Sequence, residues 1–61
     1  MITLECRLNK IDNDWIFTVK EDDKTRFCVL EEEANDMVQK NRVKNFTTEE
    51  TETKYIERYC F

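Results

Sequence analysis

Residues 2–8 read ITLECRL, an unbroken alternation that puts Ile2, Leu4, Cys6 and Leu8 on one face of an extended chain and Thr3, Glu5 and Arg7 on the other. That is the period of a strand with one side buried. The chain contains no glycine and no proline, so each turn that returns it to this strand must be built from residues that bear a side chain. Asp12-Asn13 is the first candidate, because Asn and Asp tolerate the left-handed conformation that hairpin turns demand. A two-residue turn there sets Ile11 opposite Asp14, Leu8 opposite Phe17 and Cys6 opposite Val19, which gathers the apolar residues of both strands on one face.

A second turn at Glu21-Asp22-Asp23-Lys24 leads into TRFCVL, whose β-branched and aromatic content favours a third strand. A three-residue loop turns Phe27 and Val29 inward and a two-residue loop turns Cys28 and Leu30 inward; side-chain volume favours Phe27 and Val29. From Glu31 to Asn41 the period changes. Leu30, Ala34, Met37 and Val38 fall at i, i+4, i+7 and i+8, the stripe of an amphipathic helix. Glu31, Glu32 and Glu33 occupy its first turn, and Lys40 and Arg42 its end, as the helix dipole prefers.

The tail carries two patterns. Thr47-Thr48-Glu49-Glu50 has the form of a capping box, and Glu50 with Lys54 is a helical i, i+4 pair, whereas TETKYIERYCF has the Thr and Tyr content of a strand. A strand over Thr51 to Tyr59 is favoured, because Thr51 and Thr53 are weak helix formers and a three-stranded sheet needs its edge shielded. The expected architecture is α+β: a small antiparallel sheet of three or four strands with one helix on one face, in the order β-β-β-α-β. Residues 1–61 are expected to form a single small domain.

At 61 residues the fold buries only roughly 60 % of the surface its unfolded form exposes, and a core of this size supplies about 3–5 kcal/mol. The apolar and charged fractions are each 39 %, with seven aromatics, too apolar for an intrinsically disordered segment. Cys6, Cys28 and Cys60 are odd in number and have no Cys-x-x-Cys spacing, which points to reduced thiols and a cytoplasmic setting. Cys6 and Cys28 are expected to act as small core residues. The N-terminus lacks a secretory pattern, and the longest uncharged apolar run, Phe27–Leu30, is far too short to span a membrane. The chain is expected to be a complete small gene product. It leans on Lys, Glu, Asn, Thr and Ile, and in this AT-rich-codon usage and its small acidic size it resembles, as a loose class, the host-takeover proteins of bacteriophages. The likeness is one of composition, carried by no motif.

Several functions lose their chemistry here. With no histidine there is no imidazole base, and with no serine the hydroxyl nucleophiles reduce to threonine and tyrosine. With no glycine there is no tight phosphate-cradling loop. The chain is therefore read as non-enzymatic, without a cofactor. Asp12-Asn13-Asp14 opens like a calcium loop, but Phe17 stands at the glycine position and Asp23 at the terminal glutamate position. Zinc would need close ligand pairs that three dispersed cysteines do not form.

The charge is polarised. Residues 21–36 hold seven carboxylates and two bases, a net −5, while residues 37–48 hold three bases, Lys40, Arg42 and Lys44, and no acid. Glu32 and Asp36 are a like-charge pair one helical turn apart, which helix stability does not ask for, whereas Asp36 with Lys40 recovers a similar energy. Asp22, Asp23, Glu32, Glu33 and Asp36 are accordingly the candidate partner-binding residues, an anionic patch for a protein with a basic surface. Glu49, Glu50 and Glu52 could extend it. The expected function is an acidic protein-binding module, an inhibitor or modulator of a basic partner, with nucleic-acid-processing proteins among the candidates, in a host–virus interaction within the host cytoplasm. Two alternatives stand beside it. One is a homodimer formed through sheet edges or through outer-face Ile16 and Cys28. The other is single-stranded nucleic acid stacked on Trp15, Phe17, Tyr55 and Tyr59, disfavoured by the net charge of −4.

Overall fold

In the computed structural model, residues 1–22 and 26–61 are described. They form β1 (Thr3–Asn9), β2 (Asp14–Lys20), β3 (Arg26–Val29), α1 (Glu31–Lys40), β4 (Asn45–Glu50) and β5 (Lys54–Cys60). The five strands make one antiparallel sheet in the order β3-β2-β1-β5-β4. The α+β class with one helix matches the expectation, but the order is β-β-β-α-β-β. The expected strand over Thr51–Tyr59 is present as β5 but starts three residues later, and β4, not expected, precedes it to form a hairpin, so the sheet has five strands instead of three or four.

The reason lies at Thr51. Its Oγ1 accepts the N–H groups of Thr53 (3.3 Å) and Lys54 (3.2 Å), and its own N–H bonds the Lys54 carbonyl at 2.8 Å. This local capture of backbone donors by a hydroxyl turns the chain where a strand had been expected to begin. Thr47–Glu50 pairs with β5 instead of capping a helix, and Glu50 bonds Lys10 across the sheet rather than Lys54. β5 shields the edge of β1, and β4 becomes the new edge.

The first hairpin shows a similar local cause. Leu4 faces Val19, Cys6 faces Phe17 and Leu8 faces Trp15, two residues away from the expected register. The turn is four residues, 10–13, because Asn9 Oδ1 accepts the N–H groups of Ile11 (3.0 Å) and Asp12 (3.3 Å), leaving Asn13 alone at positive φ, 55°. A two-residue turn of the favoured type needs two such residues. A two-residue slip preserves facing, so Leu4, Cys6, Phe17 and Val19 still share one side.

That side is the one α1 covers. Leu4, Cys6, Val19 and Ala34 form the buried cluster, with Phe17, Val29, Met37, Val38, Tyr59 and Phe61 packed around it. Phe27 and Val29 pair with Val19 and Phe17 and so lie on the helix side, as their volume suggests, although Phe27 remains 43 % exposed. Leu30 departs from the expected stripe: it is the N-cap and 69 % exposed. Its N–H is taken by the Glu33 carboxylate at 3.3 Å, half of a capping box, since leucine has no acceptor to complete it. Cys28 is likewise not a core residue, because its register with Thr18 puts it on the opposite face, exposed. All three cysteines are free.

The opposite face has its own buried residue. Ile56 is 1 % exposed although it lies away from α1. Its neighbours by register are Arg7 and Glu49. Glu5 sits at the centre of this face, with Arg7 at 2.8 Å, Arg58 at 3.5 Å and Arg26 at 4.0 Å; Arg58 also reaches Glu49 at 3.8 Å. The aliphatic lengths of these side chains are the available cover for Ile56. No helix among the described residues is long and apolar enough to cross a membrane.

Candidate protein-binding surface

α1 lies across the sheet and leaves a groove along each flank. The first is bounded by β2, β3 and the helix. Its floor is apolar, with Ile2, Val19, Phe27, Val29 and Met37, and its rim carries Glu21, Glu33 and Asp36; its volume is about 320 Å³. Among the described residues no lysine or arginine lines it. Helical spacing places Glu33 and Asp36 one turn apart on the same flank of α1, and Glu21 reaches the groove from the end of β2. Asp36 holds Lys40 at 3.6 Å, the expected i, i+4 pair, with both side chains more than half exposed. Such a pair is worth roughly 0.3–0.5 kcal/mol, little enough to be exchanged for another cation.

The expected patch is therefore brought together only in part. Glu33 and Asp36 meet at this groove. Glu32, two residues from buried Ala34, projects outward from the helix and is exposed. Asp22 lies in a smaller recess with Met1, Thr3 and Lys20, away from Glu33 and Asp36. Asp23 lies outside the described residues. Glu21 was not among the expected residues; it is the first of the three acids in the turn run read from the sequence, and its place just past the end of β2 turns it towards the helix.

The second groove lies on the other flank, towards β5, with a volume of about 290 Å³. Cys6 is in its floor, Trp15, Phe17 and Tyr59 form aromatic walls, and Glu31 and Glu57 supply its charge; among the described residues no lysine or arginine lines it. Trp15 and Phe17 stack at 5.9 Å, and Tyr55 meets Trp15 edge-on at 6.3 Å. Tyr55, Glu57 and Tyr59 project together because they alternate on β5. Tyr55 donates its hydroxyl to Glu57 at 3.1 Å. Burial, then Glu57, then Glu5 push the Cys6 thiol up to about 11, which makes it a poor nucleophile. Burial and then Glu57 also raise Tyr59, and burial followed by the hydrogen bond to Glu57 raises Tyr55. In all three groups burial is the larger cause and Glu57 a smaller one.

The four aromatics considered for base stacking all occupy this face, interleaved with Glu57 and flanked by Glu50. Carboxylates in that position repel a phosphate backbone. Of the basic cluster, Lys40 is engaged with Asp36. Among the described residues no group of three or more His, Cys, Asp or Glu side chains is arranged to hold a metal ion. Comparison with protein-family models, curated proteins and solved structures finds no match, so the functional argument rests on this geometry.

Proposed function

We propose that this chain is a non-enzymatic acidic protein-binding module, an inhibitor or modulator that docks a basic partner protein against α1 and its flanking groove. The observation that carries this reading is the groove beside β3, where Glu21, Glu33 and Asp36 surround an apolar floor with half-exposed Phe27 and Ile2 and, among the described residues, no base in the lining. An apolar centre with a charged rim is the composition of a protein interface, and the rim sets the sign of the partner. Glu32 adds charge above it. The small acidic composition favours a host-takeover role in a host cytoplasm, and a nucleic-acid-processing enzyme offers the matching basic groove.

The test is an affinity capture from host lysate with the wild type beside E32K/E33K/D36K, followed by kinetics on the retained protein. The variant is expected to lower the association rate by roughly tenfold or more at low ionic strength, with a smaller effect on dissociation. Because Glu33 also caps α1, circular dichroism must show the variant folded. Unchanged kinetics in a folded variant would remove this reading.

A homodimer is the second reading, favoured by the edge position of β4, all six of whose residues are exposed, and by Ile16, 50 % exposed on the outer face beside Cys28. Sedimentation at high concentration showing monomer alone eliminates it.

A further inference from the structure

We infer that the groove between α1 and β5 is a slot for a single arginine side chain of the basic partner, its guanidinium stacked on Trp15 and forked by the carboxylates of Glu57 and Glu31. The inference rests on the partner being a basic protein and names the side chain and the place it enters.

Three features converge on a planar cation. The walls are aromatic, and Trp15 is the largest of them, 41 % exposed and stacked on Phe17, so one indole face is braced and the ring remains accessible. A guanidinium over such a face gains cation–π attraction, strongest for tryptophan. The charge is negative from two directions: Glu31 descends from the first turn of α1 and Glu57 rises from β5. No cation lies within ion-pair distance of Glu57 among the described residues; its one side-chain bond is from the Tyr55 hydroxyl, which leaves the other carboxylate oxygen to accept. The size fits as well. At about 290 Å³ the groove falls just below the range of roughly 300–1,000 Å³ used for small-molecule sites, suited to one long side chain.

Arginine suits the slot better than lysine, since its planar fork satisfies a carboxylate in two places while its face stacks, and an ammonium can do only one of these. After burial, the nearby Glu57 carboxylate is a further cause of the raised Cys6 thiol and of the raised Tyr55 and Tyr59 hydroxyls, consistent with its place among them.

Trp15 is the single tryptophan of the chain, so its fluorescence reports directly on the slot. The experiment titrates the full chain with a capped peptide bearing arginines at alternate positions, beside copies in which arginine is replaced by citrulline or lysine. The expected result is a saturable change in Trp15 emission with the arginine peptide, and binding weaker by roughly tenfold or more with citrulline, which keeps the shape and loses the charge. Lysine falls between them. Glu57→Gln, which still accepts the Tyr55 hydroxyl, and Glu31→Gln, at an exposed helix position, each weaken the arginine peptide by about fivefold or more. Asp12→Asn, in the first turn and outside both grooves, leaves the Trp15 response in place.

Equal binding of the citrulline peptide overturns the slot, as does an unchanged affinity in both glutamine variants. Binding that leaves Trp15 silent and is lost in E33K/D36K also overturns it, while keeping the acidic surface as the docking site. Absence of binding by every peptide removes the slot and leaves the broader reading to the lysate capture.

Discussion

Replacing Ile56 with alanine tests whether the outer face of the sheet holds a true second core. Ile56 is 1 % exposed and lies between Arg7 and Glu49 on the side away from α1. The substitution removes three carbons, about 2–2.5 kcal/mol at roughly 0.8 kcal/mol per buried methylene. A rigid core would add a cavity cost, taking the loss towards 5 kcal/mol, but the register neighbours here are Arg7 and Glu49, whose long flexible stems can settle into the space. The expected cost is therefore about 2–3 kcal/mol, a large share of the roughly 3–9 kcal/mol available to a domain of this length. It would lower the melting temperature by about 10–20 °C. The assay is urea denaturation followed by Trp15 fluorescence and by circular dichroism. Ile16→Ala is the internal control, on the same face but 50 % exposed, with an expected cost below about 1 kcal/mol. Equal small losses for the two variants would show that the charged stems do not exclude water, and would refute the reasoning.

Stability should fall in alkali. The Cys6 thiol is raised to about 11 in the fold against about 9 unfolded, so its contribution is complete below pH 9 and is lost as pH rises to 11, with a slope of at most about 1.4 kcal/mol per pH unit from Cys6 alone; Tyr55 and Tyr59 shift the same way. Denaturant midpoints between pH 8 and 11 check this, and Cys6→Ala should flatten the fall. In the native protein at neutral pH, alkylation read by mass spectrometry should mark exposed Cys28 first and buried Cys6 last; early modification of Cys6 contradicts the packing. At the first turn, Asn13 has φ 55°, so Asn13→Val should cost about 1–2 kcal/mol and Asn13→Gly should be near neutral by thermal melting.

The legible parts of the sequence were those with a clean period. β1 and α1 announce themselves by alternation and by the Ala34, Met37, Val38 stripe, and because a strand repeats every two residues, the facing of the first hairpin survives an error of two in its register. β4 was hidden for a physical reason. All six of its residues are exposed, so no alternation is imposed on them, and the Thr-Thr-Glu-Glu they spell also serves as a helix start. Ile56 was missed because its cover is charged and hydropathy gives such cover no weight. At the site, Glu33 and Asp36 could be placed from helix geometry alone. Glu57 could not: the alternation of Tyr55, Glu57 and Tyr59 is plain in the sequence, but the face it lies on is set by the pairing of β5 with β1, a contact between the two ends of the chain.

That pairing also sorts the charges. Along the chain, acids and bases are interleaved: Glu5 is followed two residues later by Arg7, and Glu57 directly by Arg58. In the sheet, Arg7, Arg26 and Arg58 converge on Glu5 on the outer face, so three arginines there meet two glutamates. Glu57 falls on the helix face, to which α1 adds Glu31, Glu33 and Asp36. A net charge of −4 spread evenly would attract a basic partner weakly and without orientation. Divided between two faces about one sheet thickness apart, the same charges give the molecule a polarity, and within a Debye length of about 8 Å at physiological salt an approaching basic surface meets either an anionic groove or a layer of guanidinium groups, not an average of the two. Orientation on encounter is thus set in part by strand register before any contact forms, and a change that shifted β5 by one residue would exchange Glu57 for Arg58 on the helix face, weakening the polarity while leaving composition and net charge untouched.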